Sequence, residues 1–213
     1  MFADVKNIIF DLDGTLIDSS AGVIEATNYA LVKMGQAPRS PDEIRKFIGY
    51  PLEDMFSSFC SAPLDRLAEA FQEKGRGTIT SSTRPMPGAD TIITALYYAG
   101  YRLAIATTKF VVHTEGIVGK LGWDRYFSAL ASGDEVEHVK PAPDLVELAL
   151  SRLKADKDES IVIGDTVNDI LAARAAGLKV VLIASPFGNH DLTRYHPDLM
   201  LDSLDDLKDL FRL

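Results

Sequence analysis

The sequence predicts an α/β protein, a doubly wound parallel sheet carrying an inserted all-helical cap domain, and three observations carry that reading. Short β-branched apolar runs recur along the chain, and amphipathic segments with recognisable ends separate them. One long stretch near the amino terminus contains helical segments but no convincing strand. At 213 residues the chain suits one large domain bearing a modest insertion.

Taken in order, Asn7-Ile8-Ile9-Phe10 reads as a buried parallel strand that Asp11 stops. The stretch 18–84 follows and is expected to be the cap, leaving 1–17 and 85–213 as the α/β core. Within it, 21–31 is apolar at helical spacing, with Ile24, Asn28 and Leu31 on the face expected to form the cap's own core. Ser40-Pro41-Asp42-Glu43 joins a capping Ser, a Pro at the first helical position and a Glu at the third, so a helix starts there and ends near Gly49. Residues 52–59 and 64–71 continue the helical reading. The stretch 75–84 is rich in Gly, Thr and Ser, which breaks that pattern, and Arg84-Pro85-Met86-Pro87-Gly88 is a stiff return to the other domain. The sheet then resumes with Leu103-Ala104-Ile105-Ala106, Ser160-Ile161-Val162-Ile163 and Val180-Val181-Leu182-Ile183. Helices are expected over 142–153, over 168–176 with Gly177 as the stop, and over 203–210, where Asp206 follows a capping Ser203 by three residues.

Composition removes several function classes. The net charge of −9, from 31 acidic against 22 basic residues, argues against nucleic-acid and anionic-membrane partners, which need basic surface. Cys60 is the single cysteine, so no intrachain disulfide or cysteine-rich zinc site forms, and a reducing, cytoplasmic setting is the default expectation. No apolar run approaches the ~20 residues that cross a bilayer. Monomer and homodimer both remain open.

The chemistry is expected at the strand ends. The first strand runs into Asp11-Leu12-Asp13-Gly14-Thr15, and the carboxyl ends of parallel strands face the ligand crevice. By itself this segment reads equally as a polar turn; a calcium loop is excluded because its twelfth position is Gly22 instead of Glu. A second acidic strand end, Gly164-Asp165-Thr166-Val167-Asn168-Asp169, strengthens the functional reading over simple helix capping by Asp165 or Asn168. Two such carboxylate clusters repel unless a hard cation lies between them, and oxygen-only ligation suits Mg²⁺. Thr107-Thr108-Lys109 and Lys140 add hydroxyl, backbone N–H and ammonium partners of the kind a transferring phosphoryl group requires.

With Phe10-Asp11-Leu12-Asp13-Gly14-Thr15-Leu16, Thr107, Lys140-Pro141-Ala142-Pro143-Asp144 and Gly164-Asp165-Thr166-Val167-Asn168-Asp169 in this order, the chain resembles haloacid dehalogenase (HAD) superfamily phosphatases of the phosphoglycolate phosphatase branch. The resemblance spans essentially the whole chain, and a helical cap inserted after the first motif is also a family feature. It implies Mg²⁺-dependent hydrolysis of a small organic phosphate monoester through an aspartyl-phosphate. On that basis Asp11 is the nucleophile, and Asp13 protonates the leaving oxygen and then activates water. Asp11, the Asp13 backbone carbonyl and Asp165 would hold the metal, with Asp169 an outer or additional ligand. Thr107 and Lys140 would bind the phosphoryl group, with Thr108 and Lys109 beside them. In capped members the cap meets the rest of the substrate. Arg45 and Tyr50 are therefore the expected contacts, Arg45 on a substrate carboxylate and Lys46 the weaker candidate.

A phosphomutase of the same superfamily is the alternative, although the sugar-phosphomutases carry an acidic residue where Gly164 stands. Phospho-receiver domains also cluster Asp, Thr and Lys on a doubly wound sheet, but their acceptor lies mid-domain and no cap is inserted. Dinucleotide binding fails because no G-x-G-x-x-G follows the first strand. His113, His138, His190 and His196 are scattered and are expected at the surface. Thr107-Thr108-Lys109 departs from the Thr-Asn-Lys common in phosphoglycolate phosphatases, which removes an amide near the phosphate and weakens that substrate assignment.

Overall fold

Along β1 (Asn7–Phe10) the side chains alternate: Ile8 and Phe10 enter the apolar core on one face of the sheet, Ile9 that on the other. The computed structural model describes residues 2, 4–187 and 192–213. β4 (Arg102–Ala106), β5 (Phe127–Ala131), β6 (Ser160–Gly164), β7 (Lys179–Ile183) and β8 (Leu199–Leu201) complete a six-stranded sheet in the order β5-β4-β1-β6-β7-β8. Every pairing in it is parallel. From β1 the chain builds outward through β4 and β5, then crosses to the other side of β1 for β6 to β8. The order therefore reverses beside β1, the position at which α/β sheets open a ligand crevice.

Both faces are covered. On one face α7 (Asp144–Leu153) and α8 (Val167–Ala175) bury Leu145, Val146, Ala149 and Ile170 against Ile9, Val162 and Val180. On the other, α5 (Ala89–Tyr98) and α9 (Leu207–Phe211) bury Ile92, Leu96 and Leu207 with Ile8, Phe10 and Ile105. The fully buried side chains among these each contribute about 1.5–3 kcal/mol through their removal from water. α6 (Val111–Leu121) follows β4 and adds Ile117 and Val118. The expected helix over 203–210 is a short 3₁₀ turn, Leu204–Asp206, followed by α9, and Ser203 and Asp206 make the capping box the sequence implies. β5 and β8 escape the sequence reading because Ser128 and two alanines dilute the one and the other is a short, half-exposed edge.

Residues between β1 and β4 leave the sheet through β2 (Ile17–Asp18) and return through β3 (Arg84–Pro85), which pair antiparallel. Between them lie α1 (Ser20–Lys33), α2 (Pro41–Arg45), α3 (Leu52–Phe59) and α4 (Leu64–Ser82), with α1 packed most extensively on α4. Ser40 and Glu43 form the expected capping box on α2. Two local expectations are corrected. The Gly-, Thr- and Ser-rich stretch after residue 75 continues α4 to Ser82: Thr78 and Ser82 turn their hydroxyls back onto the carbonyls of Lys74 and Thr78, 3.0 and 2.7 Å away. On α1 the buried face is Val23, Ala26, Thr27, Ala30 and Leu31, while Ile24 is half-buried. Asn28 is also half-buried and ties down the following loop, donating to the Arg39 carbonyl (2.9 Å) and accepting its N–H (2.7 Å).

Candidate active site

Beyond β1 the alternation of side chains continues for one more step. Leu12 turns into the core, fully buried, so Asp11 and Asp13 flank it at the mouth of the crevice. The Asp11 N–H donates to the Ile163 carbonyl of β6 (2.8 Å), which docks the motif against the neighbouring strand end. Gly14 makes the turn with φ +89°, and a Cβ there would stand 2.2 Å from an Asp165 oxygen.

Asp11, Asp165 and Asp169 converge, with one carboxylate oxygen of each within 4.8 Å of the others, all three buried. Lys140, itself 1% exposed, bridges two of them, donating to Asp11 Oδ1 at 2.7 Å and Asp169 Oδ1 at 2.6 Å. Asp169 is further anchored because its Oδ2 accepts from the Thr166 hydroxyl (2.7 Å) and N–H (3.0 Å). Thr15 donates to Asp165 Oδ1 at 2.8 Å. One ammonium cannot neutralise three buried carboxylates. Burial, relieved by Lys140 and worsened by the charge of Asp169, pushes the Asp11 carboxyl up to about 7. Burial and the charges of Asp11 and Asp169 raise Asp165 as well. Burial opposes the Lys140 ammonium, yet the charges of Asp11 and Asp169 more than offset it and raise its pKa.

The donor set fits a hard divalent cation. All its ligand atoms are oxygens, and Asp11 Oδ2 is buried without a hydrogen-bond partner. Asp13 is a partial exception to the expected metal set, because its carboxylate lies outside this cluster and leaves only the backbone carbonyl for such a role. That carboxylate forms a buried ion pair with Lys109 (3.0 Å) and accepts from the Ser19 hydroxyl.

Thr107, at the end of β4, is 1% exposed and its hydroxyl accepts the Lys109 N–H at 3.2 Å. Thr108 donates to the Gly49 carbonyl at 3.3 Å, joining the β4 end to the helical insertion. Tyr50 lines both clefts between the two parts of the chain, one beside Asp13 and one beside Asp165. Arg45 is not brought to the site: it is exposed, its guanidinium binds Asp42 one turn earlier (2.8 Å), and it lines neither cleft. Lys46 lines the cleft beside Asp165 instead.

His113 is another correction. It is 1% exposed, on the inner face of α6, and lines the cleft beside Asp13. Burial and the nearby Lys109 charge lower its pKa to about 4. His138 and His196 are exposed as expected, and His190 lies outside the described residues. Thr15 and Thr166 sit inside motifs already recognised and carried a signal; Ser19 and His113 carried none.

Fold, strand-end carboxylates and inserted helices define a hydrolase of one class. The chain belongs to the haloacid dehalogenase-like hydrolase family, whose model matches residues 8–183. It is similar to the pyrophosphatase PpaX of Anoxybacillus flavithermus, 32% identical over 96% of this chain and 95% of the relative. It is also similar to the phosphoglycolate phosphatase of Agrobacterium fabrum, 31% identical over 91% of this chain and 87% of that one. Among solved structures, a haloacid dehalogenase-like hydrolase from Bacteroides fragilis superposes with a TM-score of 0.88 at 27% identity, covering 95% of this chain and 99% of the other.

Proposed function

We propose that this chain, a phosphoric monoester hydrolase of the family, is a Mg²⁺-dependent phosphatase that cleaves a small organic phosphate monoester through an aspartyl-phosphate on Asp11. The observation that carries the reading is the buried, partner-free Asp11 Oδ2 within a cluster of three carboxylates that a single ammonium only partly neutralises. When bound, Mg²⁺ would be held by Asp11 and Asp165, with Asp169 and the Asp13 carbonyl as further candidates, and would supply positive charge against the phosphoryl oxygens.

A carboxylate oxygen of Asp11 forms a bond to phosphorus as the ester P–O bond breaks. Asp13 delivers its proton to the departing alkoxide, which leaves as the alcohol. Asp13 then takes a proton from water, whose oxygen bonds to phosphorus while the phosphorus–Asp11 bond breaks, and inorganic phosphate is released. Lys140 balances the charge of Asp11 and the phosphoryl oxygens, and Thr107 offers its hydroxyl to the same group. The helical insertion 18–84 acts as a cap that covers this chemistry from bulk water; Ser19 bonds the Asp13 carboxylate, Gly49 accepts from Thr108, and Tyr50 lines the cleft beside Asp13.

Hydrolysis is favoured over the mutase alternative by Gly164. A Cβ at that position would stand 2.4 Å from the Asp169 carboxyl carbon, so an acidic side chain there conflicts with the Asp169 arrangement. The test is turnover of a panel of phosphate esters with Mg²⁺ by wild type and Asp11→Asn, with acid-quenched protein analysed by mass spectrometry. Wild type should release phosphate and carry a phosphoryl group on the peptide containing Asp11. Near-wild-type turnover by Asp11→Asn, an amide of almost the same shape, would reject the covalent mechanism.

A further inference from the structure

Ser19 stands between β2 and α1, at the N-cap position of the first helix of the insertion. Serine is favoured at such a position because its side-chain oxygen accepts an N–H of the first turn. Ser19 makes no such bond. An N–H of that turn, the one on Ser20, goes to the Asp18 carboxylate at 2.8 Å. The side chain of Ser19 is fully buried, and its hydroxyl donates to Oδ1 of Asp13 instead. A capping residue has therefore been turned away from its own helix and toward a carboxylate of the candidate site.

Asp13 is held at both oxygens, Oδ1 by Ser19 and Oδ2 by the Lys109 ammonium at 3.0 Å. The two partners are not equivalent. Lys109 carries its charge on a flexible four-carbon stem and, having only donors, suits the ionised carboxylate alone. Ser19 is a short arm on a fixed backbone: Asp18 before it pairs with Arg84 across β2 and β3, and its own carbonyl accepts the Val23 N–H at 3.1 Å as α1 begins. Because a hydroxyl both donates and accepts, it stays bonded to Asp13 whether that group carries a proton or not. The last torsion of an aspartate side chain is broad, so a carboxyl group without such a hold turns easily. Proton transfer needs the carboxyl within hydrogen-bond reach of the leaving oxygen and aimed at it.

We propose that Ser19 is a positioning residue whose hydroxyl fixes the orientation in which Asp13 delivers its proton, an assignment that rests on the role of Asp13 in the function proposed above. Ser19 lines neither cleft, so it acts through Asp13 and not by touching the substrate.

The test measures kcat/KM of the full chain with Mg²⁺ at neutral pH on two kinds of ester. Dinitrophenyl phosphate has a leaving group that needs no proton, whereas a primary alkyl phosphate has one that does. kcat/KM covers the steps up to departure of the alcohol, so the later activation of water does not enter it. Ser19→Ala should lose about tenfold on the alkyl ester, roughly the worth of one hydrogen bond, and less than about twofold on the dinitrophenyl ester. Ser19→Thr keeps the hydroxyl and should recover most of the alkyl activity. Should Ser19→Ala fail to fold by thermal melting, Ser19→Thr and Ser19→Val make the same comparison, since they match in shape and differ in the hydroxyl. Asp13→Asn is measured beside them and should show the same selective loss, larger in size. Equal losses on the two esters, no loss on either, or a folded Ser19→Thr no better than the variant without the hydroxyl would overturn the assignment. A selective loss in Asp13→Asn without one in Ser19→Ala rejects Ser19 alone. If Asp13→Asn itself shows no selectivity, the proton-transfer role of Asp13 fails and this inference falls with it.

Discussion

Replacing Lys140 by methionine isolates the electrostatics of the site, because methionine is of similar length and fills the space while removing the charge. In the wild type the ammonium lies 2.7 Å from Asp11 and 2.6 Å from Asp169, and all three side chains are at most 4% exposed. Without it, Asp11, Asp165 and Asp169 share the interior with no other ammonium or guanidinium paired to them among the described residues. Breaking a buried ion pair by removing one partner costs about 3–5 kcal/mol. For a protein of this size that lowers Tm by roughly 10 °C. Urea titrations of both proteins in EDTA and in millimolar Mg²⁺ provide the assay. In EDTA the variant should lose the full amount. In Mg²⁺ the gap should narrow, because a divalent cation among the carboxylates stabilises the folded state by binding it. Equal stability in EDTA would refute the claim that Lys140 neutralises the cluster, and a gap unmoved by Mg²⁺ would refute the cation site.

Other perturbations separate the roles of the neighbouring groups. Asp13→Asn should lower kcat by roughly 10²- to 10⁴-fold, the usual worth of general acid–base catalysis, with the smallest loss on esters whose leaving group needs no proton; equal activity of that variant would remove Asp13 from proton transfer. EDTA should stop turnover and Mg²⁺ restore it, with Ca²⁺ a poor substitute because its looser coordination misplaces the nucleophile, and Asp165→Ala should raise the Mg²⁺ concentration required. His113 has a folded pKa of about 4 against an ordinary value near 6.5, lowered by burial and by the charges of Lys109 and Arg76, which Asp13 and Asp134 only partly offset. Above about pH 6.5 the ring is neutral in both states and contributes no pH dependence. As pH falls toward 4 the unfolded chain binds the proton first, so up to about 3 kcal/mol of stability is lost across that window. Chemical denaturation at several pH values should therefore find a shallower acid loss in His113→Leu than in wild type, by about 2 kcal/mol between pH 7 and 5, and parallel profiles would contradict it.

What sequence determined here is what short-range chemistry determines. Asn7-Ile8-Ile9-Phe10 could bury both faces only as a central strand, so the residues after it, Asp11 and Asp13, had to emerge at a strand end. Ser40 with Glu43, and Ser203 with Asp206, are capping boxes in the structure because each closes within three residues. The candidate phosphoryl-binding set was legible because Thr107, Lys140 and Asp165 border recognisable elements and follow the Asp11-Leu12-Asp13-Gly14-Thr15 segment in a specific order.

Tertiary packing decided the rest, because the deciding partners are distant in sequence or compete locally. The end of α4 has poor helical composition yet is helical, since its hydroxyls satisfy its own carbonyls and Gly75 and Ile79 pack inside. Arg45 was the natural choice for a substrate carboxylate, but Asp42 on the exposed face of the same short helix takes its guanidinium. Nothing around His113 in the sequence marks it as buried: Val112 beside it is exposed, and the cleft it lines is closed mainly by side chains of the distant helical insertion, from Val23 to Ile79. Sequence thus determined where the candidate site lies, because the acidic and phosphate-binding side chains proposed for it sit at strand ends. Only the packing of the helical insertion onto the sheet decided what lines the cleft beside Asp13, because that surface is assembled from two parts of the chain that meet in space.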